Sequence, residues 1–154
     1  MRLTLFQPDI PQNTGAILRL GACLNTPVDI IGPCGFVWDN RQLKRVGMDY
    51  INSVEVTHYL SWQKYYDHYE ESETRLLLLT TRGSQSYNNI VYRKTDRILL
   101  GQESLGVPDF VHNVATVRIF IPMMKGVRSL NVALAASIVL SEGLRQTNTL
   151  PQNN

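Results

Sequence analysis

Two short aliphatic runs, Leu76–Leu79 and Ile98–Leu100, constrain the fold of this chain most. A strand that is apolar at every position must be covered on both faces, which is typical of a parallel sheet between layers of helices. Apolar or β-branched runs recur along the chain and predict strands at Leu3–Phe6, Val28–Ile31, Ser53–Val56, Arg75–Thr80, Arg97–Leu100 and Val117–Ile121. Helix-compatible stretches separate most of them, so we predict an α/β domain with a mostly parallel sheet.

Three helices are predicted between these strands. Asn13 or Thr14 is a suitable N-cap for the first helix, which would place Arg19 near its beginning. A second helix is predicted to begin at about Asp39. The spacing of helical neighbours gathers its cations on one side; these are Arg41, Lys44 and Arg45. Aromatic residues interleaved with charge predict a third helix at Trp62–Glu70 that packs on the surface.

The last predicted helix is apolar around its whole circumference, because aliphatic residues between Leu130 and Leu140 point in every direction. Such a helix requires burial on all sides, either deep within the protein or in a subunit interface. In a chain of 154 residues with one sheet we favour the interface, with close approach at Ala133, Ala135 and Ala136. We therefore expect a homodimer.

The bulk composition bounds the class of protein. With 154 residues, of which 44% are hydrophobic, we predict one domain over residues 1–145 and a polar, frayed tail over residues 146–154. A net charge of +2 does not mark a dedicated nucleic-acid binder. Cys23 and Cys34 suit reduced cytosolic thiols, and the three histidines lack metal-ligand spacing. No leader or membrane span is recognisable, so we expect a soluble cytoplasmic protein with no membrane or metal partner.

Two loops follow predicted strands at the carboxyl edge of the sheet, where ligands bind in open parallel sheets. The loop Gly101–Pro108 has glycines that allow close backbone approach, and it carries Glu103, but it lacks the dinucleotide and phosphate-loop fingerprints. A tight turn before a helix explains this loop equally well. The loop from Ile121 to Asn131 contains Ser129, which can cap the last helix and expose its N–H groups to an anion. Capping alone also accounts for Ser129.

The segment Pro11–Arg19 is open to two interpretations. It is either an ordinary strand-to-helix connection or a loop in which Asn13 fixes the backbone while Arg19 points at a phosphate or carboxylate. Arg82, just after another predicted strand, is either solvated or an RNA contact. The same choice applies to the cations near residue 41, which form either a soluble face or a phosphate-binding surface.

Together these loops resemble the three signature motifs of the SPOUT-class RNA ribose methyltransferases, in the same order and over almost the full chain. The matches are Asn13–Gly15 to Arg19, Gly101–Pro108 with Glu103, and Ile121–Met123 to Ser129–Asn131. Further similarity is found at Pro8, Ile10, Pro11, Gly35–Asp39 and Asp49–Tyr50. With these residues the chain resembles the small tRNA 2′-O-methyltransferases that modify the wobble cytidine or uridine.

The resemblance implies a C-terminal trefoil knot, tRNA as substrate and two subunits that build the RNA site together. It implies that S-adenosylmethionine binds against Leu79, Thr80, Gly101, Ile121, Ser129, Leu130 and Asn131. Arg19 matches the family's catalytic arginine, and we expect it to orient the ribose and stabilise its alkoxide rather than act as a free base. Asn13 and Glu103 are expected to hold the first two loops together. Substrate contacts are expected at Arg41, Lys44, Arg45 and Arg82.

The chain departs from the commonest family pattern at two of its motifs. Ser104–Leu105 replaces an expected Thr-Arg pair, which removes an RNA-contacting arginine, and Val127–Arg128 and Val132–Ala133 alter the third motif. These changes leave the class intact but leave the exact tRNA and nucleotide open. A non-catalytic RNA-binding or assembly module with the same fold is the alternative, and a flavodoxin-like redox domain is disfavoured.

Overall fold

In the part of the chain that the structure describes, seven strands form one sheet in the order β3-β2-β1-β6-β4-β7-β5. All neighbouring pairs are parallel. The structure is a computed structural model, and it describes residues 1–38 and 53–152. The strands are β1 Arg2–Phe6, β2 Val28–Ile31, β3 Val56–Tyr59, β4 Leu76–Leu79, β5 Gln85–Ser86, β6 Arg97–Leu100 and β7 Val117–Phe120. The helices are α1 Pro11–Cys23, α2 Trp62–Glu70, α3 Asp109–Val114 and α4 Val132–Gln146.

Side chains alternate between two apolar layers, one on each face of the sheet. On one face, Leu77, Ile98 and Leu100 lie in a cluster with residues of α1 and α4. On the other face, Leu78 and Leu99 cluster with residues of α2 and α3. This alternation is the period of a strand, and it confirms that the aliphatic runs form central strands covered on both sides.

One predicted strand is misplaced. The run Ser53–Val56 overlaps β3 only at Val56, because β3 extends to Tyr59. Its register is set by pairing with β2, in which Val56 lies opposite Val28 and Tyr59 opposite Ile31. β3 lies at the edge of the described sheet, so its His58 side chain can be exposed. The prediction followed the apolar run and therefore ended before this polar residue. The two-residue strand β5 was too short to leave a pattern.

Two predicted helix starts are wrong. The first helix begins at Pro11, with Ile10 as an N-cap that makes no side-chain hydrogen bond, so neither Asn13 nor Thr14 is the cap. Proline fits the first turn because its fixed φ suits the helix and its missing N–H would be unpaired there anyway. Arg19 consequently lies in the second half of α1 rather than near its beginning.

The last helix is capped by Asn131, whose side-chain oxygen accepts hydrogen bonds from the N–H groups of Ala133 and Leu134. The predicted cap, Ser129, therefore lies in the loop before the helix. At its other end the helix includes Gln146, which the sequence assigned to the tail. The Gln146 side chain accepts a hydrogen bond from the Tyr92 N–H and donates one to a backbone carbonyl, that of Ile90.

Only one side of α4 is buried within the chain. Ala136, Val139 and Leu140 are fully buried, whereas Leu134 and Ile138 remain 59% and 36% exposed. The expectation of a helix enclosed on all sides is therefore not met by a single copy. The predicted helix from Asp39 lies outside the described residues. In the ranges 1–38 and 53–152, no helix combines the length and apolar content needed to cross a bilayer.

A charged network lies beneath α2. The Asp29 side chain is completely buried and accepts hydrogen bonds from Arg97 Nη1 at 2.9 Å and Arg2 Nη2 at 2.8 Å. The Arg97 guanidinium also lies 5.8 Å from the ring centre of Tyr65. Two cations thus bracket one buried anion, which satisfies its hydrogen-bonding capacity.

Candidate active site

A cavity of about 840 Å³ opens at the carboxyl ends of strands β6, β4 and β7. These strands are neighbours in the sheet, so loops that are distant along the chain meet there. Every residue predicted to contact the cofactor lines it: Leu79, Thr80, Gly101, Ile121, Ser129, Leu130 and Asn131. Asn13, Glu103 and Arg82 line the same cavity.

The loop after β6 is a tight hairpin that depends on its two glycines. Gln102 and Gly106 exchange backbone hydrogen bonds of 3.0 and 2.9 Å. Gly106 has a φ of +70°, which lies in the region that favours glycine. A Cβ atom on Gly101 would lie 2.7 Å from the carbonyl carbon of Gly106, so a side chain there would force the hairpin open. The glycines therefore shape one wall of the cavity.

A chain of hydrogen bonds joins the first turn of α1 to the loops that follow β6 and β7. Asn131 Nδ2 donates to Asn13 Oδ1 at 2.9 Å, and Asn13 Nδ2 donates to a carboxyl oxygen of Glu103. Asn131 Oδ1 accepts from the first N–H groups of α4, at 2.9 Å and 3.3 Å. The Asn13–Glu103 hydrogen bond thus connects the first motif, in α1, with the second motif, in the loop after β6. The third motif is attached to them through Asn131.

Asp9, which follows β1, is a site residue that the sequence reading missed. Its Oδ1 accepts from the Glu103 N–H at 3.1 Å, and its Oδ2 accepts from the Ser104 N–H at 3.3 Å. The Ser104 hydroxyl also donates to Oδ2. The available signal was a carboxylate just beyond a predicted strand, at the edge of the sheet where the other site residues lie.

The pKa values of the Glu103 and Asp9 carboxyl groups are shifted in opposite directions. Burial, followed by the hydrogen bond with Asp9, raises the pKa of Glu103 to about 7, although the hydrogen bond from Asn13 opposes the change. Burial alone would raise the pKa of Asp9 as well. Hydrogen bonds from Glu103 and Ser104 outweigh it and lower the pKa of Asp9 to about 2. Near neutral pH, Asp9 is an anion and Glu103 is close to half protonated.

The departures from the family pattern in this loop have different consequences. Ser104 retains the hydroxyl of the expected threonine, and that hydroxyl bonds Asp9. Leu105 is 82% exposed, so the surface that the resemblance assigns to an arginine is apolar here. The dipeptide thus directs a hydroxyl group to Asp9 and an apolar side chain to the surface.

The predicted cations fall into three groups. Arg82 lines the cavity, and its guanidinium lies 3.4 Å from the exposed carboxylate of Asp109. Arg19 does not line the cavity of its own chain and is exposed on α1. The remaining three, Arg41, Lys44 and Arg45, lie outside the described residues.

Comparisons with known proteins agree with the motif resemblance. The model of the SpoU rRNA Methylase family matches residues 1–141. A tRNA (cytidine(34)-2′-O)-methyltransferase of Beijerinckia indica subsp. indica is 46% identical over 96% of this chain and 92% of its own. The enzyme of the same name from Escherichia coli K12 is 35% identical, over 95% and 93% of the two chains.

The fold agrees equally well with a solved structure. A structure concerned with the 2-OH methylation of C/U34 on tRNA superposes with a TM-score of 0.89 at 35% identity. The match covers 94% of both chains. The resemblance that the three motifs indicated is thereby confirmed over nearly the whole chain.

Proposed function

This chain belongs to the SpoU rRNA methylase family, and we propose that it methylates the ribose 2′-hydroxyl of tRNA with S-adenosylmethionine, at the wobble cytidine or uridine. The observation that carries the proposal is the meeting of the three motifs around one cavity, where the Asn131–Asn13–Glu103 hydrogen bonds connect them. Relatives named for methylation of cytidine 34 support the choice of nucleotide.

The cavity suits a nucleoside cofactor. Its volume of about 840 Å³ lies within the range of about 300–1,000 Å³ that is usual for small-molecule sites. Leu79, Ile121 and Leu130 offer apolar surface to a base, while Thr80 and Ser129 offer hydroxyl groups to polar atoms. The cofactor, when bound, supplies a methyl group on a sulfonium centre.

The protein's tasks in such a displacement are positioning and charge stabilisation. We assign Asn13 and Glu103 to orienting the reacting loops, since they connect the first motif to the second. Arg19, a permanent cation, would stabilise the negative charge that develops on the ribose oxygen. Arg82, with Arg41, Lys44 and Arg45, would contact RNA phosphates.

A homodimer would complete the site. The exposed residues of α1 share one face by their helical spacing, and α1 packs beside α4; they are Gln12, Ala16, Arg19 and Cys23. Leu134 and Ile138 of α4 add exposed apolar surface to this layer. We propose that two copies pair through it, which would bring Arg19 of one copy to the cavity of the other and bury the apolar side of α4.

The proposal also covers the course of the chain after β7 and the cellular compartment of the protein. The family predicts that the segment after β7 threads into a trefoil knot, and the return of α4 to pack against α1 and β6 is compatible with this path. A tRNA substrate and two free cysteines favour the cytoplasm, where thiols stay reduced.

Calorimetry and methyl incorporation test the function. Purified protein should bind S-adenosylmethionine and its demethylated product saturably, and it should transfer labelled methyl groups to tRNA. Mapping of ribose methylation should place the product at the wobble nucleotide. Binding of tRNA without methyl incorporation would instead identify a non-catalytic RNA-binding module.

Mixed dimers test the shared site. Arg19→Ala and Asn131→Ala should each abolish activity as homodimers. Co-expressed with different tags and purified as heterodimers, they should regain one working site of the two, because the intact cavity and the intact arginine meet across the interface. Inactive heterodimers would show that Arg19 acts within its own subunit.

A further inference from the structure

Asp9 contacts two neighbouring loops, one through its carboxylate and one through its Cβ atom. On one side it accepts the hydrogen bonds of Glu103 and Ser104. On the other side Gly35 lies so close that a Cβ atom there would be 2.9 Å from the Cβ of Asp9. The Gly35 N–H also donates to the carbonyl of the preceding Pro8 at 2.9 Å. Asp9 is therefore fixed relative to both the loop after β2 and the hairpin after β6.

The direction of the hydrogen-bond chain is set by Glu103, whose carboxyl oxygen accepts from Asn13 in either protonation state. The ionised Asp9 carboxylate only accepts, so the Glu103 carboxyl must donate its proton when these two side chains bond. Glu103 accepts from Asn13, and Asn13 accepts from Asn131. Asn131 in turn accepts from the start of α4. Each asparagine amide keeps a second N–H that can donate to a ligand oxygen in the cavity.

We propose that Asp9 is a positioning residue for methyl transfer: it clamps the Gln102–Gly106 hairpin and thereby holds Glu103 in place at the start of the Glu103–Asn13–Asn131 chain. This inference rests on the proposed function. Asp9 acts through Glu103, and the cavity lining includes Asn13, Glu103 and Asn131 but not Asp9 itself. Its contribution is preorganisation, since donors that are already aimed need no rearrangement in the transition state.

The charges around Glu103 make the clamp sensitive to pH. Its neighbours from α1 and from the loop before α4, Asn13 and Asn131, are neutral, and Asp9 is the charge acting on it. The other titratable or charged side chains lining the cavity are Arg82, Arg128 and His112. Above pH 7, Glu103 loses its proton, and repulsion from Asp9 replaces the hydrogen bond. We expect kcat to fall as pH rises through this range.

Asp9→Asn tests the role, because an amide group places N–H donors where the donors of Glu103 and Ser104 converge. We expect kcat to fall about tenfold or more, because small displacements of reacting groups, of about 1 Å, cost large factors in rate. The affinity for S-adenosylhomocysteine should change by less than about threefold. The Glu103 carboxyl carbon, assigned in NMR spectra by its loss in Glu103→Gln, should titrate near pH 7 in the wild type and at least about one unit lower in Asp9→Asn.

A matched control and a milder variant make the test specific. Asp67→Asn removes an exposed carboxylate on α2 and should leave kcat and the Glu103 titration at their wild-type values. Ser104→Ala removes one donor of the clamp and should lower kcat by a smaller factor, and it provides the readout if Asp9→Asn does not fold.

The outcomes separate this inference from the proposed function. An active wild type in which folded Asp9→Asn keeps kcat, or in which Glu103 titrates unchanged, overturns the role of Asp9 alone. A wild-type protein that binds no S-adenosylhomocysteine and transfers no methyl group overturns the proposed function first, and the role of Asp9 with it.

Discussion

Removal of the Asp29 carboxylate should destabilise this protein more than removal of any exposed acidic side chain. Asp29 is completely buried, and its two ion-pair partners, Arg2 and Arg97, would retain different contacts if its carboxylate were removed. Arg2 is 24% exposed and also pairs with Glu55 at 3.0 Å, so it retains a partner and solvent. Arg97 is only 9% exposed, and its other partners among the described residues are neutral: the Thr74 hydroxyl and the phenol groups of Tyr59 and Tyr65. Asp29→Ala therefore leaves Arg97 as a buried cation without a counter-ion.

The size of the effect follows from this geometry. At an effective dielectric constant of about 20, charges 3 to 4 Å apart attract by about 4 to 6 kcal/mol before desolvation is subtracted. Breaking a buried pair by removing one partner costs about 3 to 5 kcal/mol in free energy of unfolding. For a domain of this size each kcal/mol lowers Tm by about 2 to 4 °C, so we expect Tm to fall by about 6 to 20 °C.

Urea and thermal unfolding, followed by circular dichroism at one fixed protein concentration, measure the change. Glu55→Ala is the control, because Glu55 is 66% exposed and its pair with Arg2 should contribute about 1 kcal/mol or less. The double variant Asp29→Ala with Arg97→Met should regain part of the loss, since no buried charge stays unpaired. A loss below about 1 kcal/mol in Asp29→Ala would refute the reasoning.

Three further predictions concern the site and the interface. Gly101→Ala should weaken S-adenosylmethionine binding at least about tenfold by opening the hairpin. Gly143→Ala, whose Cβ would meet the flexible end of Met1 and a ring carbon of Tyr92 outside the cavity lining, should bind normally in calorimetry. The raised pKa of Glu103 means that its stabilising effect is complete below about pH 4.5 and is lost as pH rises to about 7, so Tm should decline over this range in the wild type and less in Glu103→Gln. Leu134→Glu should shift the sedimentation coefficient from dimer to monomer while far-UV circular dichroism is retained; an unchanged coefficient would argue against the α1 and α4 interface.

Local pattern determined much of the fold. The aliphatic runs Leu76–Leu79 and Ile98–Leu100 required cover on both faces, and they are central strands of the parallel sheet. The interleaved aromatic and charged residues gave α2 its bounds, Trp62–Glu70. These properties depend on side-chain periodicity over a few residues, which is visible in the chain itself. The motif loops were likewise found from residue types at fixed spacing.

Tertiary structure decided the features that depend on partners distant in sequence. The register of β3 came from pairing with β2 rather than from the apolar run at Ser53–Val56. Asn131 caps α4 with its amide oxygen and donates to Asn13 with its amide nitrogen. Ser129 lines the cavity instead of capping the helix. Asp9 belongs to the site because β1 and β6 are neighbours in the sheet, so the Glu103 N–H after β6 donates to the Asp9 carboxylate after β1. Whether a side chain caps a helix or holds a proton depends on the groups that the fold places next to it. The sequence shows only which side-chain groups are present.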